Sequence, residues 1–140
     1  MRRSRYGTGS ARFAGSTYDP TSYYRAAEVF GFFERQRLTD ELLPEVGQHQ
    51  VGVLLEGFES LDLDPAVVRV HDSVPLNERG GFLALQASGA EQLCVALKQR
   101  GVSPDFRGDV LRFGPAPYLS DLQLVSAMEA LGEVVRAVPG

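Results

Sequence analysis

Arg112 interrupts the apolar run Val110-Leu111-Arg112-Phe113, and Gly114, Pro115 and Pro117 follow at once. A short run of this kind reads as a buried strand. Taking an unpaired guanidinium out of water is expensive, so such an arginine calls for a carboxylate or phosphate partner. Within the chain the candidates are Asp105, Asp109 and Asp121; outside it the candidate is a ligand. The surroundings suit a ligand, because Arg-Phe-Gly followed by Pro-Ala-Pro sets the guanidinium at the end of a strand, where rigid nonhelical backbone can aim a two-pronged donor at a cleft. A second stretch, AGSTYDPTS at 14–22, combines a glycine, hydroxyls and the free amides before a helix, which together suit a phosphate. Taken alone, that stretch is more simply an ordinary N-capped helix start.

The remaining chemically capable side chains point elsewhere. His49 falls within a helical pattern and His71 ends a strand pattern, and no Ser, His and Asp spacing resembles a nucleophile motif. Cys94 lies on an apolar stripe beside Leu93 and Leu97, the place of a small buried hydrophobe rather than a reactive thiol. Two histidines and one cysteine fall short of a structural zinc site, and no disulfide can form within the chain. The carboxylates of LLEGFESLDLDP belong to a solvated helix end. Of the 14 basic residues Lys98 is the one lysine, and its position near a helix end, where a cation meets the negative end of the dipole, is that of a solvated charge.

The chain of 140 residues, 44% hydrophobic and 23% charged, has the makeup of one globular domain with a real core. With 18 acidic against 14 basic residues, a nucleic-acid binder held by phosphate contacts is disfavoured despite the basic start MRRSR. No apolar run reaches the roughly 20 residues that cross a bilayer, and the first residues lack the apolar core of a secretory signal. A cytoplasmic protein without membrane or nucleic-acid partners is expected.

These residues must be positioned by a recognisable series of elements. Residues 1–17, rich in Gly, Ser, Thr and Arg, predict an extended arm. Asp19 and Pro20 then open a helix over about 20–36, with Tyr24, Ala27, Phe30 and Phe33 on one face. A second helix spans about 40–60, carrying Leu43, Val46, Gln50, Val53, Leu54, Phe58 and Leu61 at helical spacing. Pro44 sets its regular part to begin near residue 44.

From Ala66 the period changes to that of strands, with AVVRVHD and GFLALQAS joined by the turn-rich SVPLNERG. Ser88 and Glu91 form a capping box for a helix over 89–100, which Gly101 ends. VSPDF and DVLRF flank an Arg-Gly-Asp turn as a hairpin, with Pro104 confining the first strand to an edge. Ser120 and Gln123 cap a last helix that buries Leu124, Val125, Met128, Leu131 and Val135. The order predicts an α+β fold, a small mainly antiparallel sheet covered on one face by helices, as one domain over 18–140.

Taken together, RFAGSTYDPTSYYRAAEVF, ERGGFLALQ and RGVSPDFRGDVLRFGPAPYLS resemble kynureninase. More broadly they resemble the C-terminal, small domain of class V aminotransferase-like enzymes of fold type I, which use pyridoxal phosphate (PLP). The resemblance implies that Arg112, in an intact Arg-Phe-Gly-Pro-Ala-Pro, grips the α-carboxylate of an amino-acid substrate. The family continues Pro-Leu-Tyr where this chain has Pro-Tyr-Leu. The resemblance also implies that Gly15, Ser16 and Thr17 stand for a Gly-Thr-x-x-Pro-like segment that contacts the cofactor phosphate, with one extra residue before Pro20 and with Ser16 and Thr17 both open as the contact.

In the family the Schiff-base lysine and the groups that bind the cofactor ring lie upstream of the matching segment, in a large domain. Lys98 does not correspond to that lysine. The chain is therefore expected to bind no PLP and to catalyse nothing alone, as an excised or truncated small domain that pairs with a large PLP domain and forms a homodimer. The implied reaction of the whole enzyme is hydrolytic β-carbon cleavage of the kynurenine type, or transamination. The other reading of the residues is a stand-alone α+β module for small-molecule binding or dimerisation.

Overall fold

A computed structural model describes Thr8 and residues 20–137. The chain divides into two compact units, residues 1–39 and 40–140. The first unit contains helix α1, Thr21–Gln36, which begins after Pro20 and ends where Arg37 turns into the left-handed region at φ 55°. Asp19, the expected cap, lies outside the described residues. The face shared by Tyr24, Ala27, Phe30 and Phe33 exists as a helical stripe, yet no residue of α1 is buried and Tyr24 is 71% exposed.

The second unit begins with α2, Leu42–Ser60. Its regular turns start two residues earlier than Pro44 suggested. As the third helical residue, Pro44 sits where backbone N–H groups have no acceptor within the helix, so its missing donor costs nothing there. Strand β1 is Val68–Val70, β2 is Leu83–Ala87, and helix α3, Ala90–Lys98, follows. The hairpin β3, Asp105–Arg107, and β4, Val110–Phe113, leads to the last helix α4, Asp121–Ala137.

The four strands form one antiparallel sheet in the order β1-β2-β4-β3, so β3 is an edge strand, as Pro104 required. Register and alternation sort its side chains by face. Val68, Leu83, Leu85, Ala87, Leu111 and Phe113 are buried among Leu54 and Phe58 of α2, Leu93, Cys94 and Leu97 of α3, and Leu124, Met128 and Leu131 of α4. The other face carries Arg69, Gln86, Val110, Ala84, Arg112 and Asp105. The expected α+β architecture, a small antiparallel sheet with helices on one face, is the one observed.

Local chemistry explains most boundaries. Gly101 ends α3 at φ 80°, its N–H donating to Lys98 O at 3.1 Å while the next N–H, of Val102, donates to Leu97 O at 3.0 Å. These two bonds are a Schellman closure, and the φ is one that glycine adopts without strain. The cap expected at Ser88 does not form: α3 starts one residue later, from Gly89, leaving the Ser88 hydroxyl out of register with the first free amides. At the start of α4 the Gln123 side chain does return, accepting from the Ser120 N–H at 2.9 Å.

One core assignment needs correcting. Val125 is 39% exposed, and Val134, one turn beyond Leu131, is buried. On α2, Val51 joins the buried set, whereas Leu43, Val46, Val53 and Leu61 are only partly covered. Cys94 is buried as expected, and its Sγ–H donates to Pro104 O at 3.2 Å, tying α3 to the residue that leads into β3.

Candidate functional site

Arg112 lies on the sheet face opposite the helices, and the strand registers determine its neighbours. On one side it pairs with Ala84 of β2 and on the other with Asp105 of β3. The turn between β3 and β4 leaves Gly108 and Asp109 as a two-residue loop, with Gly108 at φ 60° in the position that the tight II′ hairpin reserves for glycine. With that loop, Asp105 falls directly across from Arg112.

The pair is bidentate. Nε of Arg112 donates to Oδ1 of Asp105 at 2.6 Å and Nη2 donates to Oδ2 at 2.7 Å. The guanidinium's pKa is raised above its ordinary value, first by this hydrogen bond and then by the carboxylate's charge, with slight opposition from burial. The Arg112 side chain is 36% exposed and that of Asp105 65%, so the pair borders solvent. The Phe82 ring adds a third contact, its centroid 5.8 Å from Cζ, at the outer reach of a cation–π interaction.

Around this pair lies a cavity of about 300 Å³ lined by Gly81, Phe82, Ser103, Asp105, Arg112 and Gly114. Its walls are held from two directions. Gln50 of α2, only 3% exposed, donates from Nε2 to Ala116 O and to Leu119 O, both at 3.0 Å, pinning the loop that follows β4. Arg79, whose side chain is almost wholly buried, meets Asp72 at 2.8 Å, and Gln48 donates to Arg79 O at 3.0 Å. These contacts anchor the segment that delivers Gly81 and Phe82. A larger cavity of about 470 Å³ shares Ser103 and Gly114 and is lined mainly by apolar residues of α4 and the loops before it.

The other two aspartates proposed for Arg112 are engaged elsewhere. Asp121 accepts from His49 Nε2 at 2.9 and 3.0 Å, and Asp109 accepts from Gln86 Nε2. Gln86 in turn bonds His71 Nδ1 at 2.8 Å, so both histidines serve in surface contacts. Gly15, Ser16 and Thr17 lie outside the described residues. No cluster of potential metal ligands occurs among the described residues. No helix among them is long and apolar enough to cross a membrane.

Sequence reasoning missed Phe82, Ser103 and Gln50 as parts of this site. Gln50 had a signal, a polar residue on an otherwise apolar helical stripe, which is buried only where it finds partners.

The kynureninase C-terminal domain family matches residues 54–131, a span that includes Phe82, Asp105 and Arg112. The chain belongs to that family. No curated protein matches it. The kynureninase-type domain is by family a part of a larger PLP-dependent enzyme. Among the described residues, Lys98, the sole lysine of the chain, is exposed at the end of α3 and lines neither cavity. What they do offer is a fixed guanidinium at the mouth of a small cavity.

Proposed function

We propose that this chain serves as the small domain of a kynureninase-like PLP enzyme, with Arg112 binding the α-carboxylate of an amino-acid substrate. The observation that supports this reading is a planar guanidinium, oriented by two short hydrogen bonds, lining a cavity within the span matched by the family. A carboxylate needs two parallel N–H donors, which arginine supplies in a rigid fork and lysine does not.

Gly15, Ser16 and Thr17 are the proposed contacts to the cofactor phosphate. A large domain, carrying the Schiff-base lysine and the ring-binding groups, is the proposed partner. The bound cofactor would supply the electron sink for cleavage at the β-carbon of the substrate. Hydrolysis of the kynurenine type is the proposed reaction, with transamination the other chemistry of the wider class. The chain alone is then inactive, and a homodimer is the proposed assembly of the complete enzyme.

The decisive experiment combines this chain with a lysine-bearing domain of a kynureninase and measures kynurenine hydrolysis. Arg112→Lys should abolish most of the turnover gained while the melting temperature stays near that of the parent chain. A destabilised chain whose assembly still turns over substrate normally would overturn the carboxylate-binding role.

A further inference from the structure

A guanidinium presents two edges, each able to hold a carboxylate by two N–H bonds: a side edge, Nε with Nη2, and an end edge, Nη1 with Nη2. Asp105 fills the side edge of Arg112. Among the described residues no group hydrogen-bonds Nη1. We infer that Asp105 is a positioning residue, which closes the side edge, fixes the rotation of the guanidinium, and leaves the end edge to grip a ligand carboxylate in the cavity bounded by Gly81, Phe82, Ser103 and Gly114. The inference rests on the carboxylate-binding reading above.

Three features carry it. First, the contact is set by backbone register rather than by chance approach, since Asp105 and Arg112 are cross-strand partners in a hairpin closed by a two-residue turn. Second, stability gives the pair little reason to exist: exposed ion pairs contribute weakly to folding, yet this one makes two short, aligned bonds. Third, Arg112 has no polar rival on its other side, where Ala84 is its cross-strand partner and the Phe82 ring approaches Cζ. A long arginine side chain loses considerable rotamer freedom when it binds a ligand, and here that freedom is removed in advance. Because Asp105 also balances the local charge, recognition depends on the spacing of two N–H groups more than on net charge. That favours a planar carboxylate over a compact anion.

The test uses the full chain labelled with ¹⁵N-arginine and acetate as the probe. The Nε–H and Nη–H resonances of Arg112, assigned by their loss in Arg112→Lys, are followed through the titration. In the parent chain the Nη signals should move while Nε–H stays in place and exchanges slowly with water. In Asp105→Asn the dissociation constant for acetate should rise about three- to tenfold, the range expected when one side chain must be immobilised anew, and Nε–H should begin to respond. Asp105→Glu, which keeps the charge and shifts it by one methylene, should also lose the slow Nε–H exchange.

A purely structural Asp105 would lower the melting temperature of Asp105→Asn without changing which nitrogens respond. That result, or tighter acetate binding in Asp105→Asn with Nε–H already moving in the parent chain, would overturn the positioning role while leaving the carboxylate site intact. Silence of every Arg112 resonance, in both the parent chain and Asp105→Asn, would instead sink the carboxylate site and the inference with it.

Discussion

Arg112 and Gln50 illustrate opposite uses of a polar side chain in a small domain. Arg112 stands at the margin of the structure, where its ion pair adds little to folding and no described residue hydrogen-bonds its Nη1. Removing its fork by Arg112→Lys should therefore leave the thermal unfolding midpoint of the chain nearly unchanged, a result that calorimetry checks directly. Gln50 is buried, and its amide satisfies two carbonyls at once. Gln50→Leu keeps most of the volume and strands both acceptors, so urea unfolding should show a loss of about 1–3 kcal/mol. Because the stranded carbonyls belong to the loop after β4, the same variant should raise hydrogen exchange at the amides of Ala116, Tyr118 and Leu119.

Which parts of the elements could be anticipated follows from how local their causes are. The C-terminus of α3 rests on a nearby glycine and the start of α4 on a glutamine in its own first turn, so Gly101 and Gln123 announced themselves. The start of α3 was misplaced by one residue because Ser88 and Gly89 are both acceptable caps, and only the packing of Ala90 and Leu93 against the sheet selects between them. Likewise Val125 and Val134 carry the same side chain. Their burial depends on where α4 crosses its neighbours, which no spacing rule contains.

The partner of Arg112 was narrowed to three aspartates by nearness in sequence and decided by hairpin register, a cross-strand relation legible only once Gly108 and Asp109 are taken as the whole loop. Phe82 and Ser103 remained hidden because they reach the cavity from segments that approach it only in three dimensions. Gly101→Ala tests the local kind of cause in isolation. Nothing lies within 4 Å of the added methyl, so a loss of about 1 kcal/mol in equilibrium unfolding would report the strain of the left-handed backbone, net of the reduced freedom of the unfolded chain and without a steric clash.

For the chain as a whole, every member of the hydrophobic core cluster lies in the second unit, as does the matched family span. Residues 40–140 expressed alone should therefore fold cooperatively, with a melting temperature close to that of the full chain. The exposed aromatics Tyr23, Tyr24, Phe30, Phe32 and Phe33 belong to the first unit, and so much exposed apolar surface on one helix favours association. Sedimentation should show the full chain self-associating as concentration rises and residues 40–140 remaining monomeric; a full chain that stays monomeric would assign those aromatics no role in self-association. The sole cysteine makes the unfolding of the second unit visible in another way. Cys94, on α3, is buried against the residue that leads into β3, so a thiol reagent reaches it only when those elements part. Under conditions where the reagent outpaces reclosing, the labelling rate is the rate of that parting, and each molecule carries a built-in clock of its own opening.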